Sequence, residues 1–349
     1  MHEPGKIDLE FFERVIAPRL GARRDDVIVP PKNGVDCGIV QVGDRVMALT
    51  TDPFYIVPQY GWDKAAWFAF HIIASDLCTS GLKPDFMTID LNLPLDIEDE
   101  AIEKIMETVS REAKKLDCAI VTGHTARYSG VNYPMVGGAT MIGVGEKDRF
   151  VTPEMARPGD RVIMTKTAAL EAAVILSHTF PEYIGANLSE YDVKMLQKLF
   201  FKMSTVIESM EASKFGLREH GVTAMHDATE GGVLGALFEL AEASGVGLDI
   251  EGDAIPVYEE VKDVCDLFEI NPYISISEGT LILTAKEEFA EDLVEILRGN
   301  FIDANIIGKV TERSEGKRIR FGQDVKEIKH PGRDPFWKAM DYGMSKGLR

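Results

Sequence analysis

Basic residues are scarce beside acidic ones: 38 Lys and Arg against 57 Asp and Glu leave a formal charge of −19 over 349 residues. A surface of that sign repels phosphate backbones and anionic membranes over long range, which argues against nucleic acid as a partner. It can still hold a nucleotide if divalent cations bridge carboxylates to phosphates. Cysteine is sparse as well. Cys37, Cys78, Cys118 and Cys265 are scattered without CxxC spacing, and a reducing cytoplasm is the simplest setting for them. Long apolar runs are missing: the stretch from Ala65 to Ala74 is interrupted by His71 and is far too short to span a bilayer. The opening residues show no basic segment followed by an apolar one, so neither a membrane span nor a signal segment is expected. Short-period repeats and low-complexity tracts are not evident.

What is present is enough apolar material, 45% of residues, for a sizeable core, in a chain longer than a single core usually serves. Hydrophobic period predicts helices near 8–17, 62–80 and 97–116 and strands near 36–42, 45–51, 85–93, 118–122 and 135–145. After the polar stretch Glu146 to Arg149, the second half predicts a strand at 161–165 and helices near 167–177, 189–212, 228–244 and 287–298. Further strands fall near 246–251, 279–284 and 303–310, and the basic stretch Arg313 to Arg320 reads as a solvated hairpin. The expected architecture is α/β of the layered α+β kind, in two domains, 1–150 and 151–349.

Chemistry concentrates on aspartates. Asp36 and Asp52 flank two apolar strands joined by the turn Val42-Gly43-Asp44-Arg45, and either hairpin register leaves both carboxylates near one open end. Two such groups share a proton, bind a hard cation such as Mg²⁺, or face water; the cation suits two aspartates better than a shared proton. Asp76 follows Ile72 and Ile73 by one helical turn, by the apolar face of the 62–80 helix, where an unpaired carboxylate is costly. Asp227 reads as an N-cap with Glu230 three residues on, a capping-box spacing. Gly231 and Gly232 in that first turn each cost about 1 kcal/mol relative to Ala and suggest a close approach by a ligand or another backbone. Glycine amides at a helix start can receive a phosphate, whose cation Asp227 could ligate.

The ordered series Asp36, Thr51-Asp52, Ala74 to Gly81, Val121-Thr-Gly-His-Thr125, Arg157-Pro-Gly-Asp160 and Asp227-Ala-Thr-Glu-Gly-Gly232 resembles the motifs of the aminoimidazole ribonucleotide synthetase (PurM-like) superfamily. The wording of the last motif is most similar to the hydrogenase-maturation branch. The resemblance implies a PurM-like fold, a homodimer whose amino-terminal sheets join into a barrel, and ATP near that interface. It implies Asp36, Asp52, Asp76 and Asp227 as Mg²⁺ ligands, Lys32, Thr51, Gly123, Thr125, Gly231 and Gly232 as nucleotide contacts, and phosphoryl transfer to a substrate oxygen. His124 stands where relatives carry an acidic residue; His124, His226 and Glu230 are the candidate bases, with His124 and Glu230 put forward as catalytic. The branch carries a reactive cysteine at its extreme carboxyl terminus, and this chain has none after Cys265. The substrate is then a small molecule or a protein thiol supplied by a partner. A nucleotide-binding accessory protein without catalysis is the reading from another class.

Overall fold

The structure is a computed structural model describing residues 5–7 and 9–349. Six strands build the first sheet: β1 Val27–Val29, β2 Gly38–Val42, β3 Arg45–Tyr55, β4 Phe86–Leu93, β5 Ala119–Arg127 and β6 Met135–Glu146. Their order is β1-β2-β3-β6-β4-β5, antiparallel except for the β4–β5 pair, which the helix Asp99–Lys115 connects. Helices Trp62–Thr79 and Asp99–Lys115 cover one face of this sheet, burying Ile39, Ala48, Ile89 and Met141 against Ile73, Leu77, Ile105 and Val109. At the far edge, β5 keeps nearly every residue exposed.

Seven strands build the second sheet: β7 Arg161–Thr165, β8 Val222–Asp227, β9 Gly247–Glu251, β10 Leu281–Ala285, β11 Ala304–Thr311, β12 Lys317–Phe321 and β13 Asp324–Glu327. The order is β13-β12-β9-β11-β7-β10-β8, with β9–β12 its one parallel pair. Strands β7, β8 and β10 are almost wholly buried because helices cover both faces, Gly232–Ser244 on one and Val206–Phe215 with Glu287–Gly299 on the other. A further cluster is built mainly from the helices Leu170–Thr179, Glu190–Leu199, Glu259–Leu267 and Pro335–Lys346. This mixture of two largely antiparallel sheets with layered helices is the expected α+β architecture. No helix among the described residues is long and apolar enough to cross a membrane.

Several expectations require correction. The helix drawn over 189–212 is two, Glu190–Leu199 and Val206–Phe215, joined through a 3-10 turn at Phe200–Lys202. Neither Pro nor Gly marks the break; the buried Lys166 ammonium takes the carbonyls of Lys202 (3.0 Å) and Ser204 (2.7 Å) there and pairs with Glu208. The helix placed at 8–17 is α-helical only over Leu9–Phe11, then π and 3-10 turns to Arg19, and Asp8 lies outside the described residues. The helix near 228–244 begins at Gly232, so Asp227 ends strand β8 and caps nothing. The strand β8 and the helices Pro181–Asn187, Glu259–Leu267 and Pro335–Lys346 were not anticipated.

Candidate active site

The β2–β3 register, Gly38 opposite Leu49 and Val42 opposite Arg45, is that of a two-residue Gly43-Asp44 loop. It leaves Asp36 just before β2 and Asp52 within β3, both beside the helix that carries Asp76. The second half closes on this end: Asp36, Asp52, Asp76 and Asp227 line one cleft of about 840 Å³. Asp76 shares the cleft with Asp36, Asp52 and Asp227 closely enough for each to repel its charge, a crowding that carboxylates relieve with a shared proton or a cation. Thr50 donates to Asp76 Oδ2 at 3.0 Å. Burial, with Asp227, Asp52 and Asp36 adding repulsion, pushes the Asp76 carboxyl well above the usual range. Burial and the nearby Asp36 likewise push Asp227 up to about 7.

Compensating positive charge comes from His226, the residue before Asp227. Its Nδ1 lies 2.8 Å from Asp36 Oδ1 and its Nε2 lies 3.1 Å from Glu239 Oε2. Burial opposes its protonation, but Asp36 and Glu239 outweigh burial and raise the imidazole well above its ordinary value. Glu239 shows the reverse balance: burial would raise its carboxyl, and His226 holds it below the usual range. With both ring nitrogens engaged, His226 is a buried imidazolium strut, not a free base. Asp36, His226 and Asp227 bring one ligand atom each within 4.8 Å of one another, yet a charged imidazole offers no lone pair to a metal. The hard-cation donors are therefore the carboxylates. Asp227 Oδ2 and both oxygens of Glu278 are buried without a hydrogen-bond partner, as oxygens would be where a cation supplies the missing charge.

Among the nucleotide candidates, Lys32 and Thr51 line the cleft. Lys32 Nζ is bound to Glu154 Oε1 (2.8 Å) and the Ala243 carbonyl (3.1 Å), while Thr51 Oγ1 donates to the Ala139 carbonyl at 3.0 Å. Gly231 and Gly232 have a different explanation from a phosphate cradle. The Gly231 amide donates to Asp334 Oδ2 at 2.8 Å and the Gly232 amide to the Thr229 carbonyl at 2.9 Å. A Cβ on Gly232, at φ +60°, would lie 2.6 Å from the Ser275 carbonyl oxygen. Close backbone packing accounts for that glycine.

Glu230 borders the cleft, but its carboxylate is committed, accepting from the Lys6 amide at 2.9 Å and from Trp337 Nε1 at 3.1 Å. Gly123, His124 and Thr125 lie on β5, away from the cleft walls of the same chain, and His124 Nε2 sits 2.8 Å from Tyr128 Oη. Sequence reading missed Lys6, Glu171, Glu239 and Glu278. Lys6 Nζ donates to Thr229 Oγ1 at 3.2 Å; crowding by the cleft opposes its charge, yet Glu239, Asp227 and Asp36 raise its pKa. Glu278 had a legible signal, an acidic residue three positions before the wholly apolar start of β10.

The chain matches the model of the AIR synthase related protein, N-terminal domain, over residues 34–144, and that of its C-terminal domain over 157–320. It is 28% identical over 316 residues to a Methanocaldococcus jannaschii protein provisionally named for hydrogenase expression and formation, with 89% of this chain and 90% of that one covered. To the carbamoyl dehydratase HypE of Azotobacter vinelandii it is 27% identical over 273 residues, covering 76% and 75%. A crystal structure of the hydrogenase maturation protein HypE in complex with ATP superposes with a TM-score of 0.63 at 21% identity, covering 94% of this chain and 93% of the other. Fold, motif order and both domain matches agree: the chain belongs to the AIR synthase related protein family.

Proposed function

We propose that the protein is an ATP- and Mg²⁺-dependent enzyme that activates an oxygen of its substrate by phosphoryl transfer. The observation that carries the proposal is the convergence of Asp36, Asp52, Asp76 and Asp227 on one cleft, beside buried carboxylate oxygens of Asp227 and Glu278 that lack donors. Asp36, Asp52, Asp76 and Asp227 are the residues to hold Mg²⁺, which when bound neutralises phosphate charge. The relative named a carbamoyl dehydratase and the related fold solved with ATP support the same class.

In the reaction proposed, the substrate oxygen forms a bond to the γ-phosphorus of ATP as the bond from that phosphorus to the β,γ-bridging oxygen breaks, ADP departs, and the proton of a hydroxyl acceptor leaves to the transferred phosphoryl oxygen or to water. His226 fixes Asp36 and Glu239 across the two halves of the cleft, so the carboxylates are oriented before ligand arrives. Lys6 and Lys32 are the lysines that line the cleft and would meet the phosphates of a bound nucleotide. With Glu230 committed to two donors and His226 charged, neither is free to accept the proton of an attacking hydroxyl. Cys37, Cys78 and Cys118 are buried, and burial raises their thiols, so a thiol acceptor has to come from another molecule.

The proposal includes the two domains, 1–150 and 151–349, a cytoplasmic setting and a homodimer formed through the exposed β5 side of the first sheet. Such a dimer is the route by which Gly123, His124 and Thr125 reach a nucleotide. An ATP turnover assay with Asp52→Asn as control tests the enzyme reading: nucleotide binding with no turnover against any oxygen-bearing acceptor, alcohols, carbamates and amides included, sinks it.

A further inference from the structure

Three helices line the cleft with one residue per turn. Trp62–Thr79 presents Phe68, Ile72 and Asp76; Leu170–Thr179 presents Glu171, Ile175 and Thr179; Pro335–Lys346 presents Phe336, Met340 and Met344. Each set is spaced i, i+4, i+8, so each forms a stripe about 12 Å long. On the first two helices the stripe has a carboxyl group at one end and turns less polar over the next two turns. Glu171 marks that transition: its Oε2 accepts the Glu278 amide at 3.0 Å, and burial pushes its carboxyl up to about 8.

The apolar end of the cleft is cut into the helical core. Tyr60, Phe68, Ile175, Phe180 and Phe336 belong to that cluster, with Met340 packed against it. The only basic side chains that line the cleft among the described residues are Lys6, Lys32 and His226, and their partners Thr229, Glu154, Asp36 and Glu239 all lie outside the apolar cluster. An anionic group entering the apolar end would lose its hydration and meet no cation among the described residues.

We infer that this apolar end is the acceptor subsite, and that the acceptor is an uncharged, apolar or aromatic molecule presenting one oxygen to the carboxylates. Its body extends for up to two helical turns away from them. The inference rests on the phosphoryl-transfer reading and names the substrate class for the same site. At 840 Å³ the cleft is at the upper end of small-molecule sites, which suits two ligands together.

The test uses the whole protein with Mg²⁺ and a non-hydrolysable ATP analogue, and compares 4-phenylbutan-1-ol with 4-phenylbutyrate by calorimetry and saturation-transfer NMR. The alcohol is expected to bind at least tenfold more tightly than the carboxylate. Ile175→Trp and, independently, Met340→Trp fill the chamber and are expected to weaken the alcohol at least tenfold while nucleotide affinity stays within twofold. Circular dichroism selects whichever variant is folded. Equal affinity for the two probes, or no binding of the alcohol, overturns the inference. So does displacement of the alcohol by the nucleotide analogue, which would make the chamber a nucleobase pocket. Binding of the alcohol without any nucleotide binding overturns the phosphoryl-transfer reading instead and takes the acceptor role with it, leaving only an apolar site.

Discussion

His226 Nδ1 lies 2.8 Å from Asp36 Oδ1, joining residues 190 positions apart and tying the loop before β2 to the end of β8. Glu239 holds the other ring nitrogen, so the imidazolium is a strut with a carboxylate at each end. Replacing it by His226→Ala leaves two buried carboxylates facing each other without compensation. A loss of roughly 3–5 kcal/mol is expected, in line with breaking a buried pair, measured as a fall in urea midpoint at constant slope.

The pH dependence of stability follows from the same cluster. Asp227 is raised from 3.8 to about 7 in the folded protein, and His226 is raised above 6.5. For both groups the native state binds more protons than the unfolded chain, so their contribution is present at low pH and is lost as pH rises. Metal-free protein is expected to lose stability between about pH 4 and pH 7 through Asp227, and above pH 6.5 through His226 as pH passes its folded pKa. The slope is about 1.4 kcal/mol per pH unit per group. Mg²⁺ with an ATP analogue is expected to flatten the Asp227 part, because the cation favours the ionised carboxylate. Denaturation curves in chelator and in Mg²⁺ at four pH values decide this.

Asp76→Asn separates stability from activity. Removing a carboxyl that must take up a proton to sit buried beside Asp227, Asp52 and Asp36 is expected to raise the melting temperature of metal-free protein near neutral pH. The same change is expected to lower ATP turnover by about 100-fold or more, the scale on which a group stabilising transition-state charge acts. Unchanged turnover would remove Asp76 from the site.

Gly232→Ala distinguishes a packing glycine from a phosphate cradle. The new methyl meets the Ser275 backbone in a left-handed conformation that costs at least about 1–2 kcal/mol before the clash is counted. A lower melting temperature in chelator, with nucleotide absent, is expected. A stable variant defective only in nucleotide binding would restore the phosphate reading.

Trp337→Phe removes the indole N–H that Glu230 accepts. Loss of one hydrogen bond to a charged acceptor at a partly exposed position is expected to cost about 1 kcal/mol. Hydrogen exchange is expected to rise in the helix Pro335–Lys346 before any other.

How much of this was readable from the chain differs by residue. Asp36, Asp52 and Asp76 were legible because a short hairpin and one helix turn fix their neighbourhood locally. Asp227 was found for the wrong reason: the spacing to Glu230 resembles a capping box, but the left-handed Gly231 and Gly232 delay the helix to Gly232. Glu171 and Lys6 join the cleft only through contacts across more than a hundred residues, for which no local pattern exists, and Glu239 joins it through His226, from which it is separated by a strand end and the turn into a helix. The break between Leu199 and Val206 was invisible for the same reason, since the carbonyls freed there are taken by Lys166, well upstream in the sequence.

Glu230 grips the Lys6 amide on one side and the Trp337 indole on the other, so one carboxylate ties two segments far apart in the sequence to the wall of the cleft. An affinity handle inserted beside Lys6 or Trp337 therefore stands in the doorway, where it acts as an inhibitor or props the mouth ajar. The Gly43-Asp44 hairpin tip, exposed and with open space around Gly43, is the place where such a handle leaves the chemistry undisturbed.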